Sequence, residues 1–359
     1  MTSSDTLIQL FNGRDDGSRA KPSPDSEPRH RNAEQVLRDN GFFVETIPTF
    51  GWPWNPAAKL HNAYLGVDPL RALRVLFTRR KAAVVCAHLE SGLLILLLRR
   101  LLGFRPPVVI WEVPWSPGWK YREIVSRLAI PRADCCVVFS SNQINMLHDR
   151  YGKDIPIVFI PFCIDTDFYR PMPAPDGIEP YVFSCGFDAG RDFDTLLDVA
   201  ARIPGRVMIK AARSFALDQD AHPNVTVSRE HLTYPAFRDL YAGASVVVVT
   251  TRETPNASGV TTLMEAMAMG KPVIVSNNPA LRDYLPPPDA GIVIPVGDRA
   301  ALQAAITDLF DNPLRAAAMG QKAREFAMAK FHPKVHFQAV ANLMRDVVTA
   351  NQDQRSVTK

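Results

Sequence analysis

The chain has 359 residues, of which 47% are hydrophobic and 22% are charged, and its formal net charge is +4. This length and apolar content are sufficient for two hydrophobic cores, so we expect two domains. No stretch of about 18 uncharged apolar residues occurs, which excludes a helix that spans a membrane. The N-terminal residues lack the basic and then apolar pattern of a signal peptide, so we expect a cytoplasmic protein.

The five cysteines lie mostly in apolar segments, and no two of them form a CxxC pair. Buried, reduced thiols are therefore expected rather than disulfides or a metal site. These residues are Cys86, Cys135, Cys136, Cys163 and Cys185.

Positive charge is concentrated in one part of the first half of the chain. Between residues 59 and 132 there are 13 lysines and arginines against four acidic residues, interspersed with apolar residues. A helix with this pattern can rest on an anionic lipid surface, which predicts peripheral contact with the inner face of the cell membrane. The alternative is a buried helix whose arginines extend to water or lie on a solvated face. No module that combines aromatic and basic residues is visible, so nucleic acid is not an expected partner.

Short apolar segments alternate with helical patterns along the first half, which predicts parallel strands connected by helices. A polar, proline-containing segment, residues 12–30, separates the first two strands and is expected to be a loop that faces a site. The predicted strands of this half are residues 7–11, 43–48, 82–87, 108–111, 135–140 and 157–160.

The same alternation resumes after residues 172–180, a proline-rich segment without apolar periodicity that we interpret as a domain linker. The predicted fold class is therefore α/β. Helices are predicted at residues 192–201, 300–310, 314–331 and 336–348. The predicted strands of this half are residues 181–185, 207–210, 225–227, 245–250, 272–276 and 291–295.

The most informative segment is residues 256–277, NASGVTTLMEAMAMGKPVIVSN. A small loop that contains Gly259 opens a helix, and Gly270 closes it before an apolar strand. Such a loop presents free N–H groups and the positive end of a helix, which suits a phosphate group. Glu265 lies early in the helix, where its carboxylate can accept a hydrogen bond from a sugar hydroxyl. These features predict a binding site for a nucleoside diphosphate.

Glu265 has a second interpretation that depends on local structure alone. The residues from Thr262 to Glu265 match a capping box, in which Thr262 caps the helix and Glu265 bonds back to it. The two roles are compatible, so the sequence leaves both open.

Residues 265–268, Gly270 and residues 272–274 resemble the donor-site signature of GT-B fold glycosyltransferases, in particular the retaining family 4 (glycosyl transferases group 1). The segment IPFCIDTDFYRP, residues 160–171, resembles the element that closes the first domain of that family. In this context Asp165 is expected to shape a turn together with Asp167, rather than to bind a metal.

The resemblance implies the GT-B fold, two Rossmann-like domains that face each other across a cleft. The first domain, residues 1–171, is expected to bind the acceptor, and the second, residues 172–335, is expected to bind the nucleotide-sugar donor. A C-terminal helix, residues 336–359, is expected to cross back to the first domain.

The resemblance also implies a retaining, hexosyltransferase-like enzyme that moves a sugar from a nucleotide diphosphate sugar to an acceptor hydroxyl. The chain departs from the family pattern at its first glutamate, which falls on Ala257, and in the N-terminal glycine-rich loop, which is absent. Ser258 or Asn256 is expected to contact the transferred sugar instead. The predicted donor-binding residues are Glu265, Ser258, Gly259, Val260, Thr261, Thr262 and Arg213.

Catalysis must stabilise the negative charge that grows on the departing diphosphate, and a GT-B site can use fixed cations and helix amides instead of a metal. Relatives carry an arginine directly after the glycine that corresponds to Gly186, and a lysine four residues later. Here Phe187 occupies the first position and Arg191 the second, so Arg191 is the predicted catalytic cation. The alternative is an exposed arginine at a helix start. Arg213, at the end of a strand, is the predicted second cation, and we expect no metal and no cofactor.

In the first domain, Glu112 follows the fourth strand, at or next to the position where relatives often place a histidine. A carboxylate there can accept a proton from the attacking hydroxyl or stabilise positive charge at the anomeric carbon, so Glu112 is a predicted catalytic residue. The alternative is that Glu112 hydrogen-bonds to loop amides. His88 and Trp115 are predicted acceptor-binding residues, and Trp111 and Trp119 offer further faces for stacking on sugars unless they fill the core.

The basic and apolar segments favour a lipid-linked or cell-envelope glycan as the acceptor, as in polysaccharide biosynthesis. Two other functions fit the same sequence. One is a non-catalytic GT-B protein that binds a nucleotide sugar or a partner, which the departures from the family pattern favour. The other is a GT-B nucleotide-sugar epimerase or hydrolase.

Overall fold

The computed structural model describes residues 6–10, 33–47, 69–113 and 120–357. These residues form two six-stranded sheets, and in each sheet all the neighbouring strands are parallel. Parallel strands require crossover connections, and helices provide most of them. Within the described residues, the first compact unit contains 6–10, 33–47, 69–113, 120–160 and 336–357, and the second contains 161–335.

The sheet of the first unit has the strand order β2-β1-β3-β4-β5-β6. Its strands are β1 Thr6–Leu10, β2 Phe43–Thr46, β3 Val84–His88, β4 Val108–Trp111, β5 Cys135–Val138 and β6 Ile157–Phe159. Its helices are α1 Ala33–Asp39, α2 Pro69–Thr78, α3 Leu89–Leu98, α4 Lys120–Ala129 and α5 Asn142–Tyr151, with a 3₁₀ turn at Ile130–Arg132.

Helix α3 packs closely on the first sheet. Leu93, Ile95 and Leu96 are buried in the core of this unit. Gly92 brings the helix against strand β4, because a Cβ atom at this position would collide with the Ile110 side chain. All four residues of β4 and of β5 are buried, which explains why these strands read as continuous apolar runs.

The sheet of the second unit has the strand order β12-β11-β10-β7-β8-β9. Its strands are β7 Tyr181–Gly186, β8 Arg206–Ala211, β9 Val225–Ser228, β10 Ala244–Val249, β11 Val273–Ser276 and β12 Ile292–Ile294. Its helices are α6 Phe193–Ala200, α7 Tyr234–Gly243, α8 Val260–Ala268, α9 Arg299–Asp311 and α10 Pro313–Phe331, with a 3₁₀ segment at Pro279–Tyr284. The last helix, α11, is Pro333–Val357.

The twelve predicted strands all occur, and their described ends differ from the prediction by at most two residues. The last helix begins at Pro333, three residues before the predicted residue 336, and it is described as far as Val357. From residue 336 onward it belongs to the first unit, where Met344 Sδ lies 3.4 Å from Cys86 Sγ. Gln338 there donates a hydrogen bond to the Asn40 side chain at 2.9 Å.

The break between the two compact units falls after Ile160, earlier in the chain than the linker that we expected at residues 172–180. The reason lies in contacts made by the residues that follow the break. The Phe162 N–H donates to Tyr284 Oη at 3.0 Å, and the Ile164 N–H donates to the Phe331 carbonyl at 2.9 Å. Residues 172–180 are irregular, as predicted.

The basic segments of the first unit are less available to a membrane than their sequence suggests. Arg71 is fully buried and donates Nε–H to the Ile47 carbonyl at 2.8 Å. Arg99 forms an ion pair with Asp134. At these two positions the alternative of buried or paired arginines holds, and peripheral membrane contact stays a prediction.

No helix in the described part of the chain is both long and apolar enough to cross a membrane. The described cysteines are free, and four of the five are buried, as predicted. Burial raises the pKa of the Cys185 thiol to about 12, so this thiol stays protonated at neutral pH.

Candidate functional site

Helix α8 begins at an unusual backbone position. Gly259 precedes the helix with φ of +80°, a left-handed conformation that glycine adopts at little cost, and Gly270 ends the helix region with φ of +69°. The predicted capping box is wrong, because the helix already starts at Val260, two residues before Thr262. Thr262 instead donates its hydroxyl to the Cys185 carbonyl at 3.3 Å and ties α8 to strand β7.

Arg191 lies under this helix start with 3% of its surface exposed. Its Nη2 donates to Ser184 Oγ at 3.2 Å, while Nε and Nη1 are buried and have no hydrogen-bond partner. Gly186 and Gly259 make room for the side chain, because a Cβ atom at either position would collide with it. Burial lowers the pKa of the guanidinium, but arginine remains charged in proteins. The alternative of an exposed arginine is therefore excluded.

A cavity of about 440 Å³ lies beside Arg191. It is located where β7 and β8 end, the edge at which open parallel sheets bind ligands. Its wall includes Gly186, Phe187, Asp188, Arg191, Ser214 and Arg252. Of the predicted site residues in the described ranges, Arg191 is the one that lines it.

Asp188 connects the two loops that border this region. Its Oδ1 accepts a hydrogen bond from Ser258 Oγ at 2.6 Å and another from the Gly190 N–H at 2.9 Å. The first bond joins the loop after β7 to the loop that precedes α8. Through this bond to Asp188, Ser258, a predicted donor-binding residue, fixes the position of the loop that precedes α8.

The Glu265 carboxylate is held by two tyrosines. Tyr241, which is fully buried, donates its hydroxyl to Glu265 Oε2 at 2.5 Å, and the Tyr169 hydroxyl also hydrogen-bonds to this carboxylate. Burial raises the pKa of Glu265 to about 7, although the two tyrosine hydrogen bonds lower it. Glu265 is partly exposed as a whole residue, and it is not part of the wall of the cavity beside Arg191.

In the first unit, His88 and Glu112 meet at the end of two neighbouring strands. His88 is the last residue of β3 and pairs with Trp111 in the register, and Glu112 follows directly. His88 Nδ1 lies 3.9 Å from Glu112 Oε2. Glu112 has φ of +59°, which is the one positive φ of a non-glycine residue within the described ranges. Strained backbone of this kind is concentrated at functional sites.

These features can be compared with known proteins. The sequence model of the family described as glycosyl transferases group 1 matches residues 216–326, which include helix α8 and Glu265. The matched segment lies within the second unit. A sequence comparison with curated proteins finds no match.

Solved structures resemble almost the whole chain. Sucrose-phosphate synthase from Thermosynechococcus elongatus superposes with a TM-score of 0.70 at 19% identity, covering 96% of this chain and 100% of its own. Anabaena Alr3699/HepE in complex with UDP-glucose gives 0.64 at 14%, with 95% and 99% covered. A glycosyltransferase from Rickettsia africae ESF-5 gives 0.66 at 12%, with 97% and 99% covered. At these identities the likeness shows the fold, and the predicted GT-B fold class is confirmed.

The predicted donor-binding residues that do not line the cavity differ in exposure. Val260 lies on the buried side of α8, whereas Thr261 is exposed. Arg213 is exposed as well, and its neighbours Ala212 and Ser214 line the cavity while Arg213 does not. The role of Arg213 as the second cation stays a prediction.

Arg252 is a second cation in the wall that the sequence analysis missed. It follows strand β10 and pairs with Asp194 at 2.7 Å. The signal used for Arg213, a cation just after a strand end, applies to it equally. Phe187, in place of the family's arginine, is exposed, and its ring lies 5.3 Å from Lys210 Nζ.

The predicted aromatic faces of the first unit are only partly described. Trp111 is buried and packs edge-on against Phe139 and His336, so it fills the core. Trp115, a predicted acceptor-binding residue, and Trp119 lie outside the described residues, as does the loop at residues 12–30.

Asp165 and Asp167, which lie shortly after the break between the two units, form a turn, as predicted. Asp165 is buried, and its Oδ1 accepts hydrogen bonds from the N–H groups of Asp167 and Phe168 at 3.1 and 3.0 Å. Within the described residues, no group of three or more histidine, cysteine, aspartate or glutamate side chains is arranged to hold a metal ion.

Proposed function

We propose that this protein transfers a sugar from a nucleoside diphosphate sugar to an acceptor hydroxyl. The observation that carries the proposal is the buried Arg191 guanidinium, which has two unpartnered nitrogens, lies against Gly259 at the start of α8 and belongs to the wall of a cavity. An ionised group in this state is unfavourable unless an anion pairs with it. A diphosphate supplies that anion, and the helix start adds N–H groups and a positive dipole.

Contact between Arg191 and a diphosphate requires a small rearrangement. Its unpartnered nitrogens lie beneath Gly186 and Gly259, so the side chain must change rotamer or the loop that carries Gly259 must shift. Once paired, the fixed cation stabilises the charge that grows on the leaving diphosphate. We propose that this step needs no metal ion and no cofactor.

We propose a uridine diphosphate sugar as the donor. The support is that Alr3699/HepE, which has the same fold, is solved with UDP-glucose. Glu265 is the proposed acceptor for the ribose hydroxyls, and Ser258 and Thr261 are proposed to contact the diphosphate or the transferred sugar.

The acceptor chemistry is assigned to the first unit. We propose that Glu112 accepts the proton of the attacking hydroxyl while the anomeric carbon exchanges its bond to the diphosphate oxygen for one to the acceptor oxygen. His88, 3.9 Å from Glu112, is proposed to bind the acceptor beside it. Retention of the anomeric configuration is proposed from the family resemblance.

A lipid-linked or cell-envelope acceptor, with peripheral contact of the protein at the inner face of the membrane, is part of the same proposal. The support is a surface at residues 100–105, where Leu101 is 82% exposed between Arg100 and Arg105. Co-sedimentation with anionic vesicles at low salt tests this point, with Leu101→Asp as the variant and neutral vesicles as the control. Absence of binding in wild type would remove the membrane contact and leave sugar transfer unaffected.

A protein that binds a nucleotide sugar without turnover is the second candidate. The observation in its favour is that Ala257 and Phe187 stand where relatives carry a glutamate and an arginine. An epimerase or hydrolase is distinguished by its products when no acceptor is added.

The first test is a thermal-shift panel of UDP, GDP, ADP, TDP and CMP, with and without their sugars, on wild type and Glu265→Gln. A ligand at a hundred times its Kd adds about 2.7 kcal/mol of stability. We expect UDP and UDP-glucose to stabilise wild type and to stabilise the variant much less. Stabilisation followed by UDP release only when an acceptor is present would support transfer. No shift from any nucleotide would contradict the proposal.

A further inference from the structure

The two tyrosines that hydrogen-bond to Glu265 point to a pH dependence of donor binding. We propose that Tyr241 and Tyr169 are positioning residues that hold the Glu265 carboxylate as an acceptor for the donor ribose, and that donor affinity therefore rises with pH through neutrality. This inference rests on the proposed function, because it assigns a role to the same site.

The geometry of the two tyrosines leaves the carboxylate little freedom. Tyr241 is fully buried, and its ring makes edge-on contacts with Phe183, Phe237 and Tyr169 at centroid distances of 5.0, 5.4 and 6.2 Å. Its hydroxyl lies 2.5 Å from Glu265 Oε2. Because the ring cannot turn without disturbing this cluster, its hydroxyl fixes the carboxylate in one orientation.

The remaining acceptor capacity of the carboxylate suits a ribose. An ionised carboxylate has about four lone-pair sites, and the two tyrosine hydroxyls use only part of them. A protonated carboxyl group has fewer sites and presents a donor of its own. Ribose hydroxyls therefore bind the ionised form, and binding is coupled to release of a proton from the fraction of Glu265 that is protonated.

The neighbouring titratable groups do not change charge in the same pH range. Burial raises the pKa of both Tyr241 and Tyr169, and the negative Glu265 raises them further, so both stay protonated donors. The thiol of Cys185 on β7 is held protonated in the same way. From α10, Arg324 donates to the backbone carbonyls of Tyr169 and Ala268.

The direction of the effect follows from the state of Glu265 in the free protein. Its pKa is raised to about 7, so about a tenth of the carboxyls are ionised at pH 6 and about nine tenths at pH 8. The ribose-dependent part of the affinity should then increase about tenfold over these two pH units and level off above pH 8.

The test is isothermal titration of the full chain with UDP between pH 6.0 and 8.5, with 2′,3′-dideoxy-UDP as the matched ligand. The diphosphates of the two ligands titrate alike, so the ratio of their affinities isolates the contribution of the ribose hydroxyls. In wild type we expect this ratio to rise about tenfold. In Glu265→Gln we expect a ratio that does not depend on pH, because the amide does not titrate.

Tyr241→Phe distinguishes positioning from packing. Loss of its hydrogen bond raises the pKa of Glu265 further, so we expect the pH at which the affinity ratio is half-way through its rise to move upward. At the highest pH of the titration the UDP affinity should approach that of wild type. Tyr169→Phe should move the half-way pH in the same direction. An equal loss of UDP affinity at every pH in both variants would reduce the tyrosines to packing residues and overturn the inference.

Two further outcomes separate this inference from the function on which it rests. UDP binding with a flat ratio in wild type would overturn the inference and leave the proposed donor intact. No UDP binding at any pH would overturn both.

Discussion

The two units present their site residues in opposite ways, although both place them at the ends of parallel strands. In the second unit, neighbouring elements surround Arg191 and Glu265. Two nitrogens of Arg191 are buried without a hydrogen-bond partner, and burial raises the pKa of Glu265 to about 7. In the first unit, His88 and Glu112 lie at the surface, and the unusual feature is the backbone of Glu112. The unfavourable free energy at the candidate site thus comes from buried charge in the second unit and from backbone conformation in the first.

This contrast between buried charge and strained backbone predicts which substitutions should change stability and function together. A buried charge without partners destabilises the ligand-free protein until a ligand neutralises it. A strained backbone destabilises it whether or not a ligand is present. Arg191→Met and Glu112→Gly should both stabilise the free protein, but only the former should alter its response to a nucleotide.

The largest effect is expected for Arg191. Removal of a single fixed donor from a developing oxyanion costs about 2.7–4 kcal/mol, so Arg191→Ala should lower kcat by about 10²–10³-fold. We would measure UDP release from UDP-glucose with an acceptor found by screening. Arg191→Met retains much of the side-chain volume and should not lower the melting temperature of the free protein, because it removes an unpaired buried charge. An unchanged kcat in both variants would exclude Arg191 from the mechanism.

Substitutions at Glu112 should change kcat or stability without changing the affinity for UDP. Glu112→Gln is expected to lower kcat by about 100-fold, the lower limit for a general base, while the Kd for UDP stays at its wild-type value. Glu112→Gly should raise the free energy of unfolding by about 1 kcal/mol, because glycine adopts φ of +59° without strain. Equal loss of UDP affinity and of kcat would contradict the proposed role of Glu112 as a proton acceptor.

A substitution at Gly259 tests the space that the buried Arg191 side chain fills. Gly259→Ala introduces both backbone strain at φ of +80° and a collision with the Arg191 side chain. Gly297→Ala is the matched control, because Gly297 has φ of +72° and nothing within 4 Å of the added Cβ. The control should lose about 1 kcal/mol of stability from strain alone, and Gly259→Ala should lose more and also lose the thermal shift with UDP. Similar losses in the two variants would show that Arg191 adapts to the added methyl group.

The smallest effect is expected for the bond between the two loops of the second unit. Ser258→Ala removes a hydrogen bond to the Asp188 carboxylate, which is worth about 1.5–3 kcal/mol at most and less at a partly exposed site. We expect a several-fold increase in the KM for UDP-glucose with little change in kcat. Thr261→Ala, on the exposed side of α8, separates this loop effect from direct contact between α8 and the ligand.

Much of the architecture could be predicted from sequence because it depends on local patterns. Apolar runs of four to six residues between helical segments mark strands of a parallel sheet, so all twelve strands were found. The helix that carries Glu265 was found because glycines at its two ends punctuate it. Local patterns also misled at Thr262, where a capping box fits the sequence but Gly259 already starts the helix.

The state of each charged group was decided by residues far away in the chain. Arg191 is buried because Gly186 and Gly259 leave the volume that its side chain fills, and Glu265 is held by Tyr241 and Tyr169 from other elements. Periodicity and turn chemistry act over a few residues, so the strands and the helix that carries Glu265 could be predicted from the sequence, whereas the donor-binding role of Glu265 stays a prediction. Only the tertiary structure decided which of these groups are buried or paired, because desolvation depends on every element packed around a group.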